Sequence, residues 1–524
     1  MKVRSILAVA GLMASIVAAH SQELVIGSKG DPSLDPHYIF LDSNVAFWKH
    51  LYGSLTAFDN EGKVEPNLAA SYRSVDDRTW EFKLRTDVKF EDSSLLTADD
   101  VVYSLERVRS IPGNPSPYTA LLETITSVEA VDPATVRITT SVANPWVPGN
   151  LAHVAILPRK ATEGRATGDF AAENGIGEYG PYRVSSFTPG DRLVLDRNEE
   201  YWGEKPYWAR VTFRILPTDA SRVAALLAGD VDLIDFVPPT DVERLRTNDN
   251  VSVHEGPSGR LMQLVFNYRD GAVGGVTGSG GEPLEHNALR EIRVRQAVLK
   301  SIDRQALVDR IMGGQADVAS QVAMPSVGGY DSDLQLETPD PAQAKALLAE
   351  AGFPDGLGVT ISCSNNRYPN DARICQALGQ MLARGGFRPT VDTQPMSVFM
   401  ASLRRPAEEK NFAIALVGLG GHAQRPSSLV FSVHSVDVEG GRGAFNFGGY
   451  SNPELDRLIV DANTTLDQTK RNELLAAAVR RTNEEVAVIP LFFQKVVTAS
   501  RADISYTTNS AELTLAWNAK PKTQ

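Results

Sequence analysis

The chain has 524 residues, a formal net charge of −12 and only two cysteines. Its length is too great for one core and calls for two or three domains. Its acidity speaks against general nucleic-acid binding, which needs a basic footprint, and two cysteines are too few for a disulfide-built scaffold or a four-ligand zinc site.

Lys2 and Arg4 precede an uncharged apolar run at residues 6–19, and Ala19, His20 and Ser21 put small residues at −3 and −1 of a cleavage point before Gln22. This is the pattern of a secretory signal peptide, shorter than the ~20 residues a membrane-spanning helix needs. No Cys follows the run, so no lipid anchor is expected, and the mature chain should be exported and soluble. In that oxidising compartment Cys363 and Cys375 form either a disulfide or a pair of buried thiols.

A short apolar strand at 23–28 leads into a turn-rich segment around Pro32 and Pro36, then Val45, Trp48 and Tyr52 recur at helical spacing. From Thr79 the period drops to two, through Trp80, Phe82 and Leu84, then Val88 and Phe90, as in a hairpin. Thr97 with Asp100 is a capping box that opens a helix with Val101, Leu105 and Val108 on its core face. Alternation returns at Val136 and Ile138, around the turn at Pro189–Asp191, at Val211, Phe213 and Ile215, and at Met262, Leu264 and Phe266. The stretch 271–281 is more than half glycine. It reads as a mobile loop, since no phosphate-cradling GxxxxGK[ST] or GxGxxG is present. Beyond it, helices near 294–302, 341–351 and 372–383 alternate with strands at 359–363, 391 and 412–417. That is the rhythm of an α/β lobe. Two more amphipathic helices and an apolar extended run at 486–499 close the chain.

Chemistry is scarce. No HExxH, GxSxG, SxxK or CxxC occurs, and Asp331 with Asp333 lacks the glycine and final glutamate of a calcium loop. Acidic pairs such as Asp76-Asp77 and Asp99-Asp100 read as a turn and a helix start. No catalytic residue, metal site or cofactor is expected.

Several blocks, each weak alone, occur together in order. They are 68–72 (Leu-Ala-Ala-Ser-Tyr), 79–85 (Thr-Trp-Glu-Phe-Lys-Leu-Arg), 96–105, 180–182 (Gly-Pro-Tyr), 189–191 (Pro-Gly-Asp), 198–202 (Asn-Glu-Glu-Tyr-Trp), 228–232 (Ala-Gly-Asp-Val-Asp), 294–297, 301–304 (Ser-Ile-Asp-Arg), 446–456 and 489–491 (Ile-Pro-Leu). With these the chain resembles the extracytoplasmic solute-binding proteins of ABC importers, in the large peptide/nickel-binding class. The resemblance implies an α/β fold of two lobes with a cleft and hinge, plus an extra α+β subdomain in the first lobe. The division it suggests is a signal peptide at 1–21, lobe I at 22–56, the extra subdomain at 57–170, lobe I again at 171–265, lobe II at 266–490 and a lobe I return at 491–524. The strands that cross between lobes should lie near 262–267 and 491–498. The implied function is a periplasmic receptor, a monomer, that binds a small solute between the lobes and delivers it to an inner-membrane ABC permease. An exported hydrolase, or a sensor presenting its ligand to a membrane receptor, is the alternative.

The loop after the buried lobe II strand departs from the family. Peptide-binding members carry roughly Gly-Trp-x-x-Asp-Tyr-x-x-Pro there, the Asp pairing with the peptide's amine. Here the loop has Leu419 for the Trp and His422 for the Asp, with Gly420 between them and Arg425 before Pro426. Either His422 and Arg425 meet a negative or acceptor-rich ligand, or both point to solvent. Tyr38 or Phe40 from the turn after the first strand, Arg260 before the crossover, Asn446, and Phe493 with Gln494 near the second crossover complete the candidate ligand contacts. His422 and His434 would be weak candidates for holding a metal chelate.

Overall fold

The structure, a computed structural model, describes residues 23–406, 409–420, 425–438 and 441–522. The apolar leader at 1–21 and His422 lie outside the described residues. No helix among the described residues is long and apolar enough to cross a membrane.

Two long antiparallel strands, Val251–Phe266 and Val488–Arg501, run through the middle of the molecule. Their pairing extends from Val251 opposite Arg501 to Val265 opposite Val488. These are the crossover strands, and they are longer than expected from sequence. The half at 251–260 is rich in polar residues, glycine and proline, so its alternation is hidden. Strict alternation holds in the other half. Met262, Leu264 and Phe266 enter one apolar core while Leu261 and Val265 enter another, as the two faces of a pleated strand require. Opposite Lys495 and Phe493 the ladder breaks between Pro257 and Leu261. The bulge pushes Ser258, Gly259 and Arg260 out of the pairing, the device by which strands re-aim side chains near sites.

The crossover pair joins the strands of both lobes into one 12-stranded sheet. On the lobe I side, Glu23–Ser28 pairs in parallel with Arg210–Ile215 and with the short strand Leu233–Ile234. Strands Arg192–Arg197 and Tyr182–Thr188 follow as antiparallel neighbours. A separate four-stranded sheet, in the order Ala69–Asp76, Thr79–Leu84, Thr135–Thr140 and Ile125–Asp132, stands beside this lobe. The helix Ala98–Arg107 packs on it. The backbone N–H and hydroxyl of Thr97 both donate to Asp100 at the start of that helix.

On the other side, Ile414–Leu419 pairs antiparallel with the first crossover and in parallel with Leu357–Ser364. Leu357–Ser364 pairs in parallel with Phe387–Gln394. Between those two strands the chain crosses over through the helix Asp371–Arg384, the unit by which parallel strands are joined. Cys363 on the strand and Cys375 on this helix form a disulfide, which settles the open alternative. The glycine-rich stretch is not wholly a loop: Val276–Thr277 adds an edge strand to Val359 and Gly358. Gly275, at φ +83°, lies where a Cβ would come within 2.9 Å of Thr360. Glycine there permits an edge pairing that the composition had masked.

Candidate functional site

Leu261 on the first crossover, Phe493 on the second and Leu419 at the end of the buried lobe II strand lie side by side. With Val322, Met324 and Val327 they wall a small apolar pocket, closed by Gly259, Arg425 and the segment 426–428. Its volume of about 20 Å³ leaves room for about one water, so admitting a solute requires its walls to part. Ser428 donates to Gln263 and Gln263 donates to Ser432. The buried hydroxyl of Ser427 has no partner among the described residues and is the free polar group of this pocket. Gly418 is required by close approach: a Cβ would sit 2.6 Å from the Tyr368 ring and 2.8 Å from the Met262 sulfur. The Tyr368 hydroxyl donates to the Gly418 carbonyl over 3.0 Å.

A charged group adjoins the pocket. The bulge delivers Arg260, whose guanidinium grips Glu512 through Nε and Nη2 at 2.8–3.2 Å. Ser258 donates to the same carboxylate. Glu512 is itself set at φ +61°, a backbone conformation costing about 1–3 kcal/mol for such a residue. Burial opposes the charge on Glu512, but Arg260 outweighs it and holds the carboxyl below its usual range. Arg260 reaches further, to 3.6 Å from Asp42. A side chain on Gly420 would begin 3.5 Å from the same guanidinium, so this is where the two lobes meet.

Asp42 differs from Glu512. It opens the helix Asp42–Leu51, and 52% of its side chain is exposed. Surrounding protein raises its pKa, and Glu512 adds to that, while Arg260 and Arg367 only partly offset it. Arg367, exposed on lobe II, has no carboxylate within ion-pair distance among the described residues; its guanidinium lies 5.6 Å from the Tyr368 ring. The loop that presents Asp42 is tied down by buried side chains. Asp35 is fully buried and paired to both Arg107 nitrogens at 2.9 Å. Asn44 donates to the carbonyls of Tyr38 and Ile39. Ile39 is held at φ +64°, rare for a β-branched residue and typical of functional loops.

The structure brings together Leu419, Arg425 and Phe493 in the pocket, and places Arg260 and Gly420 beside it. The Arg425 guanidinium is engaged: it donates to Asn463 and lies over the ring of Trp146 at 5.2 Å. Burial pushes its pKa down to about 10. Tyr38 is half-buried and lines no described pocket, with its carbonyl tied to Asn44. Asn446 spends its amide on His434 and Tyr450 and braces its own loop. Gln494 lies on the strand next to Phe493, so it faces away from the pocket, and its buried amide nitrogen has no partner. Asp42, Arg367, Ser427 and Glu512 were missed. Asp42 reads as an ordinary acidic residue of a first helical turn, and Glu512 and Arg367 carry no sequence signal of their own. Only the fold makes them neighbours.

Two lobes threaded by a pair of strands, with a pocket and incompletely compensated charges where they meet, fit a solute receptor that closes on its ligand. The chain belongs to the bacterial extracellular solute-binding proteins, family 5, whose middle region matches residues 63–437. It is similar to the glutathione-binding protein GsiB of Shigella flexneri, 27% identical over 500 residues, 94% of this chain and 93% of that protein. Among solved structures it resembles a putative peptide-binding protein, AppA, of Clostridium difficile. The TM-score is 0.80 at 19% identity, covering 95% of this chain and all of that one. It also resembles MoaA of A. tumefaciens R10 in complex with mannopinic acid, with a TM-score of 0.73 at 27% identity over 96% of this chain and 100% of that one.

Proposed function

We propose that the protein is the receptor of an ABC importer. Its solute is a small amino-acid-derived zwitterion, a peptide or peptide-like molecule, closed between the lobes with its ammonium at Asp42 and a carboxylate at Arg367. The observation that carries this reading is a pair of incompletely compensated charges, one from each lobe; Asp42 has Arg260 alone within ion-pair distance among the described residues, at 3.6 Å. Asp42 on lobe I is half exposed, and Arg367 on lobe II lacks a carboxylate partner among the described residues. A ligand that joins both gains its full contacts only in the closed state, and so stabilises it. With the Arg425 guanidinium already engaged by Asn463 and Trp146, the anionic end is assigned to Arg367 rather than to Arg425. The names of similar proteins fit: one binds glutathione and another is a complex with mannopinic acid. The leader at 1–21, with no cysteine behind it, suits a monomeric receptor free in the periplasm, where it meets its solute before the inner membrane.

Native mass spectrometry of protein purified without added ligand gives the trapped solute's mass. Calorimetry with trialanine, its N-acetyl form and its C-terminal amide then tests the roles. Free trialanine should bind best, and Asp42→Asn should weaken it about 30-fold, ~2 kcal/mol, without weakening the acetylated peptide. Arg367→Met should do the same with respect to the amide. A trapped neutral sugar, or unchanged binding in both variants, overturns the reading.

A further inference from the structure

A second concavity lies away from the interlobe pocket. It has a volume of about 780 Å³, within the roughly 300–1,000 Å³ typical of small-molecule sites. Its walls come from the end of the helix Asp42–Leu51, the hairpin at 56–66, the segment 201–207 and the tail at 505–520. No lining residue falls between 266 and 490, so the site is complete without lobe II and indifferent to closure. Phe58, Tyr201, Trp202, Tyr207 and Trp517 supply ring surface.

Lys49 lines the same space. Its Nζ donates to the Ala152 carbonyl over 3.1 Å and lies 4.9 Å from the Trp48 ring. Two of its three N–H groups are left, and no carboxylate stands within ion-pair distance among the described residues. Two acidic residues line the cavity. Asp59 is occupied by the backbone N–H groups of Glu61 and Lys63, and neither it nor Glu204 acts on Lys49, whose pKa burial alone pushes down to about 8. Trp202 adds ring surface only: its indole N–H is buried with no partner among the described residues, and Arg85 lies over its ring at 4.7 Å. An ammonium with donors to spare, beside rings, asks for an acceptor-bearing apolar body. Lys49 is half-buried, and an ammonium partly withdrawn from water without a counterion gains from an anion beside it.

We propose that this cavity is a second ligand site, taking a small organic anion with a flat apolar body, its carboxylate on Lys49 and its body against the aromatic walls. Residues on either side of Glu512, Ala511 and Leu513, belong to the lining, so the occupant sits one chain's thickness from the cleft.

Calorimetry of the mature chain with 2-naphthoate and its neutral isostere 2-naphthamide tests this. Naphthoate should bind at least tenfold more tightly, and Lys49→Met should abolish that preference. Tyr207→Ala, at a rim residue 42% exposed whose loss cannot unfold the lobe, should weaken both probes several-fold. The cleft variant Asp42→Asn/Arg367→Met should leave naphthoate binding unchanged, so that failure of the importer reading does not touch this one. No naphthoate binding at millimolar concentration, equal affinity for the two probes, a preference that survives Lys49→Met, or sensitivity to the cleft variant overturns the proposal.

Discussion

Arg260 and Trp146 mark two contacts near the meeting of the lobes, one built on charge and the other on a ring. Arg260 meets Glu512 in a buried pair, then reaches Asp42 at 3.6 Å and lies against Gly420. Trp146, at the edge of the separate four-stranded sheet, enters the lobe II core. Its indole N–H donates to Asn463 over 2.9 Å, and the guanidinium groups of Arg425 and Arg471 lie at 5.2 and 5.1 Å from its ring. The Trp146 indole is fully engaged. The ring is 6% exposed, Asn463 accepts from both Trp146 and Arg425, and Arg471 also donates to the carbonyls of Thr465 and Leu466. The Arg260 contact is not, since Asp42 is left half exposed and incompletely neutralised. A group whose partners are all present braces; one whose charge is only partly compensated can take the rest from a solute.

The largest effect should come from the Trp146 contact. Trp146→Ala removes a buried indole and should cost ~3–5 kcal/mol, read as a lower denaturant midpoint. Small-angle scattering should show the radius of gyration rising with it. A stability loss without expansion would make Trp146 a core residue of one lobe and not a brace between two. At the charged contact, Arg260→Met strands the Glu512 carboxylate, which is 11% exposed, and should cost about 3 kcal/mol. The double variant Arg260→Met/Glu512→Gln should recover most of that. If it recovers nothing, Arg260 acts through packing and the comparison between the two contacts fails.

The parts of this architecture legible in the sequence are those written as periodicity. Met262, Leu264 and Phe266 alternate because a crossover strand has a core on each face, and the capping box at Thr97 announces its helix locally. Leu419 and Phe493 were read from their places in the resemblance, at the end of the buried lobe II strand and near the second crossover, and not from its sequence blocks, and the fold puts both in one pocket. Asn446 stands in one of those blocks yet serves its own loop, because a motif records a requirement without saying whether it is for ligand or for backbone. Asp42, Glu512 and Arg367 were illegible for a different reason. They lie 145 residues or more apart in sequence, and each is an unremarkable surface charge until the bulge at Ser258–Arg260 and the strained backbone at Glu512 bring them together. Trp146 and Asn463 are likewise 317 residues apart.

The smallest effect separates the two contacts by pH. Glu512 is held below its ordinary value of 4.5, so around that pH the folded chain binds fewer protons than the unfolded one. Its contribution is therefore present above about pH 4.5 and lost as pH falls through the lower folded value. Asp42, raised above its ordinary 3.8, runs the other way: its cost is relieved on acidification, which narrows the net change. The stability gap between the wild type and Glu512→Gln should thus be widest at pH 6 and shrink toward pH 3.5. At Trp146 the neighbouring groups with lowered pKa are Arg425, at about 10, and Arg471, both guanidiniums charged throughout this range. The gap between wild type and Trp146→Phe should therefore stay flat from pH 3.5 to 6. Denaturant melts of both variants across that window decide the point: parallel curves for the two would mean that the Arg260–Glu512 pair does not hold its charge in the folded state.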